Sequence, residues 1–396
     1  MTIRKILYCV LAIIIIFMIN ACSNPFKNQT HEGQKKESQV EENAPINVRN
    51  PPKKEPIEPE PEPIVKSIKL SAIGDILIHG RVYNAAKVGN HQYDFTPMLE
   101  KVKPYLQQAD ITFANQETMI GGVEIGLSTY PTFNSPVEVG DALKDAGVDI
   151  VSLANNHTLD KRDKAVPRAI DHWNTIGMHY TGAYQSFEDQ QQIRVIEKDG
   201  IKVAFIAYTY GTNGIPVPKG KEYLVNLIDQ QKIKEEIDRA EELADVVAIS
   251  LHFGNEYERI PNQLQRELAQ FAADEGADLI IGTHPHVLQP VSWVETKDGR
   301  KAFVMYSLGN FLSGQEGLYK KIGGIASIEI EKIIDGEQTE VSLKNPAFLP
   351  TYVRGQDYKV IPMHELTSED VQNAQGLYEE IKKHMGQEVP DLEFGV

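Results

Sequence analysis

The chain has 396 residues, of which 41% are hydrophobic, so it is long enough to bury one large core or two ordinary ones. Its 56 acidic residues outnumber its 40 basic ones and give a formal net charge of -16. Proteins that bind nucleic acid usually present a basic stripe to the phosphate backbone, and this charge balance therefore argues against a nucleic-acid partner.

Residues 1–22 have the pattern of an export signal. Arg4 and Lys5 precede an apolar run over residues 6–19, and Ala21 and Cys22 follow it. The run is shorter than the roughly 20 residues that cross a bilayer, although an uncleaved membrane anchor stays open as an alternative. A small residue directly before a cysteine resembles a lipoprotein processing site. We therefore expect cleavage before Cys22, lipidation of its thiol, and a location on the extracellular face of the cell membrane.

Residues 23–66 are predicted to be a disordered tether. The segment is polar and rich in proline and glutamate, closing with PPKKEPIEPEPEPIVK, and it lacks the apolar residues that a core needs. Proline repeats favour the extended polyproline II conformation, so the tether would act as a semi-rigid spacer. The only other cysteine, Cys9, lies within the signal, and the mature protein is expected to have no disulfide.

Residues 67–353 are predicted to form one α/β domain. Its first half reads, in chain order, as the strand IKLSAIGDILI, a helix near residues 96–108, the strand ITFANQE, a helix over 137–146, the strand DIVSLANNH and a helix over 164–176. This alternation is typical of a sheet that is covered on both faces.

The second half of the domain is expected to be more antiparallel. A hairpin turning at residues 198–200 precedes the charged helix KIKEEIDRAEELA, the strand DVVAISLHFG, the helix PNQLQRELAQFAADEGA and the strand DLIIGTHPH. Two hairpins follow, in KDGRKAFVMYSLGNFL and SIEIEKIIDGEQTEVSL. Residues 354–396 are predicted to be a C-terminal helical tail.

Polar side chains recur where the predicted strands end. They are Asp75, Asn115, Glu117, Asn156, His157, His252, His284 and His286. Ligands of open α/β sheets gather at the carboxyl ends of strands, so these residues are expected to converge on one site. Carboxylate, imidazole and amide ligands suit Mn, Fe or Zn better than Ca, and the sequence does not choose among the three. A hydrogen-bonded structural role remains the alternative for any single one of them.

The motifs of the chain resemble one known family. IGDILI, NQET, YPTFNSP, SLANNHTLD, LHFGNEY, IGTHPHVLQP and YSLGNFL stand, over about residues 68–312, in the order of the CapA (PgsA-like) poly-γ-glutamate capsule biosynthesis proteins. That family is similar to the calcineurin-like metallophosphoesterases. The resemblance implies a metallophosphoesterase-like layered sandwich of mixed β-sheets flanked by helices.

The same resemblance implies residue roles. His157 would be the general acid, oriented by Asp160, and a divalent metal, or two, would be held by Asp75, Glu117, Asn156, His252, His284 and His286. Residues that would bind substrate or brace the loops around it are Asn115, Tyr130, Phe133, Asn134, Glu256, Tyr257 and Asn310. The chain departs from the phosphoesterases at Leu77, where they have histidine, and at residues 115–117, where they have a Gly-Asp pair.

Three functions are consistent with these residues. The first is a lipid-anchored component of poly-γ-glutamate synthesis or export, which handles the anionic polymer beside capsule-synthesis membrane proteins. The second is a secreted metal-dependent hydrolase of a cell-envelope phosphoester or amide. The third is a non-enzymic module that binds the polymer. The sequence leaves the substrate, the metal and the oligomeric state open.

Overall fold

A computed structural model of the full chain describes residues 62–395. The predicted signal, the lipidation site at Cys22 and most of the predicted tether lie outside these residues. Within residues 62–395, no helix combines the length and the apolar character that crossing a bilayer requires.

Two large sheets and one small hairpin contain the strands. The first large sheet consists of β1 (Ile64–Leu77), β4 (Ile111–Asn115), β5 (Ile150–Ser152), β6 (His179–Thr181), β13 (Asn310–Ser313), β14 (Ile322–Asp335), β15 (Gln338–Val353), β16 (Val360–Pro362) and β17 (Glu393–Phe394). The second consists of β7 (Arg194–Lys198), β8 (Ile201–Thr209), β9 (Val246–His252), β10 (Leu279–Thr283), β11 (Leu288–Glu295) and β12 (Lys301–Leu308). The small hairpin pairs β2 (Lys87–Gly89) with β3 (Gln92–Tyr93).

Helices connect the strands and cover the outer faces of the sheets. They are α1 (Gly80–Ala85), α2 (Thr96–Leu99), α3 (Lys103–Leu106), α4 (Glu138–Ala146), α5 (Ala165–Thr175), α6 (Phe187–Gln190), α7 (Gln230–Glu241), α8 (Gln263–Asp274) and α9 (Ala374–Met385). Short 3-10 turns lie at Val123–Ile125, Glu222–Leu224, Tyr319–Lys321 and Met363–Glu365.

Each large sheet has a parallel half and an antiparallel half. The first has the order β16-β15-β14-β1-β4-β5-β6, and its strands β1, β4, β5 and β6 are parallel. The second has the order β11-β12-β10-β9-β8-β7, and β8, β9, β10 and β12 are parallel. Within each parallel half, the carboxyl ends of neighbouring strands therefore meet at one edge.

The two sheets pack against each other through an apolar core. Leu70 and Phe113 of the first sheet belong to the same buried cluster as Phe205 and Ile281 of the second. The rings of Phe113 and Phe205 stack with centroids 6.2 Å apart. One face of each sheet is thus covered by the other sheet, and separate apolar clusters join the opposite faces to helices. This layered sandwich of mixed sheets flanked by helices confirms the predicted fold class.

The helix predicted near residues 96–108 was wrong in its length. The segment forms two single-turn helices, α2 and α3, instead of one continuous helix. Pro104 explains the break, because proline has no N–H to donate to the carbonyl four residues earlier and its ring clashes with that carbonyl.

The C-terminal residues pack along the sandwich. Strands β16 and β17 both pair with β15, so residues 360–362 and 393–394 extend the first sheet. Helix α9 buries Leu377, Ile381 and Met385 in the core between the sheets.

Candidate metal centre

The predicted site residues come from both sheets and meet at the carboxyl edge. Asp75 lies near the end of β1, Glu117 lies two residues beyond β4, and His252 ends β9. Two contacts bridge the sheets: His286 Nδ1 lies 2.9 Å from Asp75 Oδ2, and His252 Nε2 lies 2.9 Å from Asn156 Oδ1. All five side chains are buried. Residues that are more than two hundred positions apart in sequence therefore share one site.

Asp75 is held by two partners. Its Oδ1 accepts a hydrogen bond of 2.8 Å from the Asn115 amide, and its Oδ2 faces His286. The Asn115 amide nitrogen also lies 3.5 Å from His252 Nδ1, while its carbonyl oxygen is buried without a hydrogen-bond partner. Asn115 therefore fixes the carboxylate of Asp75 and keeps one acceptor free.

Glu117 is the least satisfied polar group of the site. Both of its carboxylate oxygens are fully buried and neither has a hydrogen-bond partner. The nearest nitrogens are His286 Nε2 at 3.5 Å and His252 Nε2 at 3.8 Å, which are beyond good hydrogen-bond geometry. A buried carboxylate without partners is costly to fold, so this arrangement is typical of a ligand that awaits a cation.

Glu117, His284 and His286 together have the geometry of a metal site. Each offers one ligand atom, and the three atoms lie within 4.8 Å of one another. Nδ1 of His284 is also buried without a partner. One carboxylate and two imidazoles form a donor set that binds Zn, Mn or Fe. The unpartnered oxygens of Glu117 fit a divalent metal at this position.

The electrostatics of the histidines differ sharply. Burial lowers the pKa of His284 to about 3, and His286 nearby adds to the effect. Burial alone would lower the pKa of His286 as well, but the carboxylates of Glu117 and Asp75 raise it to about 9. Burial also raises the pKa of Glu117 well above its ordinary value, against the opposing charge of His286. His284 is thus a neutral imidazole, the form that binds metals.

The backbone around the two histidines is unusual. His284 has φ of 101° and His286 has φ of 58°, both in the left-handed region that non-glycine residues rarely adopt. Tyr257, whose N–H donates to the Pro285 carbonyl at 2.8 Å, also has positive φ, at 69°. Such conformations cost about 1–3 kcal/mol each and concentrate at functional sites. Here they aim two imidazole rings at one point.

Gly282 allows the strand before these histidines to approach its neighbour. A Cβ atom at this position would lie 2.1 Å from the Tyr306 carbonyl oxygen of β12. Any other residue would push β10 away from β12 and would move the turn that carries His284. Glycine at position 282 therefore permits the close approach of β10 to β12.

Asn156 and His252 form a second pair beside the first cluster. The ring of His252 lies between Asn156 Oδ1 and the Thr283 hydroxyl, which is 2.9 Å from its Nδ1. Burial and the neighbouring histidines lower the pKa of His252 well below its ordinary value. The ring is therefore neutral, and Thr283 and Asn156 fix its orientation.

His157 and Asp160 form a pair on the side of the first sheet. Nδ1 of His157 lies 2.7 Å from Asp160 Oδ2, and the same oxygen accepts the Phe133 N–H at 2.6 Å. The ring of Phe133 meets the ring of His157 edge-to-face, with centroids 4.7 Å apart. Because Asp160 occupies Nδ1, the other ring nitrogen of His157 is the one left to exchange a proton with a ligand. The role of His157 as a general acid oriented by Asp160 stays a prediction.

The remaining predicted residues divide between the site and its loops. Tyr257 lies beside His286, with ring centroids 6.3 Å apart, and Asn310 donates to the His286 carbonyl at 3.3 Å. Glu256 is exposed, and its charge acts on both Glu117 and His286. Tyr130 is 74% exposed. The side chain of Asn134 is fully used in bracing a loop, since it bonds the backbone of residues 121, 122 and 126.

Two residues of the site were not predicted from the sequence. The ring of Tyr210 packs on His284 with centroids 4.7 Å apart, and Asn213 contacts both Asn156, at 3.3 Å, and His157, at 3.4 Å. Both belong to the segment YTYGTNG, which leaves the carboxyl end of β8. The signal was present, because this strand ends at the same edge as the others, but the segment lacks a histidine or an acid.

The comparison with known families agrees with these motifs. A family model described as bacterial capsule synthesis protein PGA_cap matches residues 69–315, which is more than half of the chain and spans every residue of the site. The chain belongs to this family. The predicted resemblance to capsule biosynthesis proteins is confirmed.

Two curated relatives come from species of Bacillus. The chain is 28% identical over 260 residues to the capsule biosynthesis protein CapA of Bacillus anthracis, covering 63% of this chain and 61% of the relative. It is 28% identical over 258 residues to the PGA biosynthesis protein CapA of Bacillus subtilis, covering 63% and 64%. The matches thus span less than two thirds of each relative.

A solved structure from Staphylococcus aureus also resembles the chain. It is a protein provisionally named as a 5′-nucleotidase, 13% identical in sequence, with a TM-score of 0.44. The alignment covers 79% of this chain and 58% of that protein.

Proposed function

We propose that this PGA_cap-family chain is a lipid-anchored, extracellular component of poly-γ-glutamate synthesis or export, and that it handles the anionic polymer at a divalent metal centre. The observation that supports the metal centre most strongly is Glu117, a buried carboxylate with both oxygens unpartnered beside His284 and His286. The family match and the two Bacillus relatives support the link to capsule polymer.

Glu117, His284 and His286 would hold the first metal, and Asp75 would orient His286 through its Nδ1 contact. Asn156 and His252 lie beside this group and supply further ligand atoms for a second metal. When bound, the metal supplies positive charge and Lewis-acid polarisation to the site. The residues of the chain position the ligand atoms and exclude water from them, since all these side chains are buried.

The proposed substrate also requires a local positive charge at the site, which a metal would supply. The chain carries a formal net charge of -16, and the site itself contains Asp75, Glu117 and Asp160. A polycarboxylate would be repelled by this charge distribution unless a local cation reversed its sign. Metal binding and polymer binding should therefore be linked.

The location follows from residues that precede the described fold. Cleavage before Cys22 and lipidation of its thiol would anchor the chain, and the residues between Cys22 and the start of β1 at Ile64 would hold the domain away from the membrane. Synthesis of a polymer at a membrane requires membrane proteins, so capsule-synthesis proteins are the expected partners. Loss of membrane association in Cys22→Ala, measured by fractionation of cells, tests the anchor.

Metal content of the purified full-length chain tests the centre. We expect one to two equivalents of Mn, Fe or Zn by mass spectrometry, and loss of the metal in His284→Ala. His172→Ala is the matched control, because His172 lies on α5 and pairs with Asp141 away from the site. Absence of metal after incubation with all three ions would overturn the proposal and favour a metal-free polymer-binding module.

A second function, metal-dependent hydrolysis of a cell-envelope phosphoester or amide, is favoured by one observation. The His157 and Asp160 pair is built as a positioned proton donor, with Asp160 held by the Phe133 N–H. A general acid contributes about 10²–10⁴-fold to a rate. His157→Ala should reduce turnover by that factor while leaving the metal content unchanged. Retained turnover in that variant would show that His157 is not the acid.

A further inference from the structure

Lys320 stands out among the basic residues near the metal centre. Its ammonium nitrogen lies 4.5 Å from the centre of the Tyr257 ring, and Tyr257 in turn lies beside His286. The lysine belongs to the 3-10 turn Tyr319–Lys321, and its carbonyl accepts a hydrogen bond of 2.8 Å from Asn310. Because Asn310 also bonds the His286 carbonyl, the turn is fixed directly to the site.

The neighbouring cations are already paired. Arg81 and Lys321 both bind Glu316, at 2.7 and 3.0 Å, and Arg259 binds Glu380 at 3.0 Å. Among residues 62–395, no carboxylate forms an ion pair with Lys320. The residue is half-buried. Lys320 is thus a cation held in place without an anion.

The position of the Lys320 side chain is constrained from two sides. Its ammonium rests on the Tyr257 ring, a cation–π contact, and its stem passes over Gly317. A Cβ atom at Gly317 would lie 3.0 Å from Lys320 Cε, and glycine leaves that space open. The Tyr257 hydroxyl is held by Gln315 at 3.4 Å. An ordered ammonium loses less conformational entropy on binding an anion than a free surface lysine does.

We propose that Lys320 recognises a carboxylate of the substrate at the rim of the metal centre, and that Glu256 opposes it. This inference rests on the proposed function. The Glu256 carboxylate is exposed and its charge reaches Glu117, His286 and Tyr210. A polyanion entering the site meets one attractive and one repulsive group, both next to Tyr257. The carboxylate that Lys320 contacts would be one of those on the polymer already proposed, γ-linked glutamate.

The opposite signs of the two rim charges give a sharp test. The probe is a fluorescently labelled γ-linked glutamate oligomer, titrated with the metal-loaded full-length chain. We expect Lys320→Met to weaken binding roughly tenfold, the loss that corresponds to one charged hydrogen bond, and Lys320→Arg to retain most of the affinity. Glu256→Gln should strengthen binding by about two- to fivefold, because it removes a like charge.

The matched control is Lys301→Met. Lys301 is exposed at the amino end of β12, which lies at the edge opposite the site. This variant should bind the oligomer as the unchanged protein does. The same oligomer with methyl-esterified carboxylates should bind the unchanged protein and Lys320→Met equally, since no anion remains for Lys320 to contact.

The outcomes separate this inference from the proposed function. If the unchanged protein binds the oligomer and Lys320→Met binds it equally well, the role of Lys320 is wrong while the proposed function stands. If the unchanged, metal-loaded protein binds no oligomer, the proposed function fails and the role of Lys320 fails with it. As a control, the metal content of every variant is measured, and it should equal that of the unchanged protein if the centre is intact.

Discussion

The two edges of the sheets use acidic residues in opposite ways. At the amino edge, four aspartates stand directly before strands, and Oδ2 of each accepts a backbone N–H of the neighbouring strand at 2.8–2.9 Å: Asp110 from Lys69, Asp149 from Thr112, Asp245 from Lys202 and Asp278 from Val247. At the carboxyl edge, Glu117 is more deeply buried than any of these, and neither of its oxygens has a hydrogen-bond partner.

The role of these acids depends on whether they lie before or after a strand. Each amino-edge aspartate also donates its own N–H to a carbonyl of the same neighbouring residue, at 2.9 Å, so it closes the parallel ladder from both sides. One of its carboxylate oxygens is occupied by a backbone N–H that would otherwise lack this partner. Glu117 accepts no backbone N–H, and its free oxygens are available to a ligand.

The largest effect is expected at Glu117. Glu117→Met removes a metal ligand and should lower metal affinity by at least about 100-fold, while it should stabilise the metal-free protein by about 1–2 kcal/mol, because two unpartnered buried oxygens disappear. Metal titration and urea unfolding of chelator-treated protein measure the two effects.

Glu236→Met is the matched control for this pair of effects. Glu236 is the buried glutamate of α7 whose carboxylate accepts a hydrogen bond from the Tyr208 hydroxyl. Its replacement should leave metal binding unchanged and should destabilise the protein, since the Tyr208 hydroxyl loses the closer of its two acceptors and keeps only the Lys232 carbonyl at 3.3 Å. If Glu117→Met destabilised the metal-free protein as much as Glu236→Met does, the free-ligand interpretation of the carboxyl edge would be refuted.

The second effect concerns the backbone that carries the histidines. Gly282→Ala places a methyl group against the Tyr306 carbonyl and should cost about 3 kcal/mol of unfolding free energy. Gly211→Ala, in the YTYGTNG segment at the same edge, meets no atom within 4 Å and should change stability little. Equal melting temperatures for the two variants would contradict the close approach of β10 and β12.

The third effect tests the amino edge. Asp149→Ala leaves the N–H of buried Thr112 without its acceptor and should cost about 1–2 kcal/mol, with metal affinity unchanged. Asp145→Ala, which removes an exposed ion pair with Lys103, should cost less than about 1 kcal/mol. A loss of metal in Asp149→Ala would show that the two edges are coupled. It would contradict the separate roles of the amino-edge aspartates and Glu117.

The site residues at the strand ends were easier to predict from the sequence than those on the loops. Asp75, Asn156 and His252 could be placed together because strand ends in a parallel sheet share an edge, whatever the loops do. Tyr210, Asn213 and the turn that carries Lys320 could not, since their approach depends on the path of a loop after the strand has ended.

The packing of the two sheets was also beyond the local sequence pattern. Strands such as β4 and β10 are buried on both faces, and a continuous apolar run looks the same whether a helix or a second sheet covers it. The family resemblance supplied the layered sandwich, and the residues alone did not. The error over residues 96–108 was different, because Pro104 carried the signal for the break.

The smallest effect is a pH dependence at the amino edge, and it arises because burial opposes the ionisation of Asp278. Burial raises the pKa of Asp278 from 3.8 to about 6, although the Val247 N–H and Arg300 oppose the shift. Between these values the folded state binds more protons than the unfolded state, so stability falls as pH rises from about 4 to about 6. Asp278→Asn keeps an oxygen for the Val247 N–H and loses the titration. In this variant, the decrease in the free energy of unfolding across this pH range, measured by urea unfolding, should be smaller by about 1–2 kcal/mol. An unchanged slope would mean that the Val247 N–H and Arg300 fully offset the burial of Asp278, so that Asp278 is ionised without cost and its contrast with Glu117 is wider still.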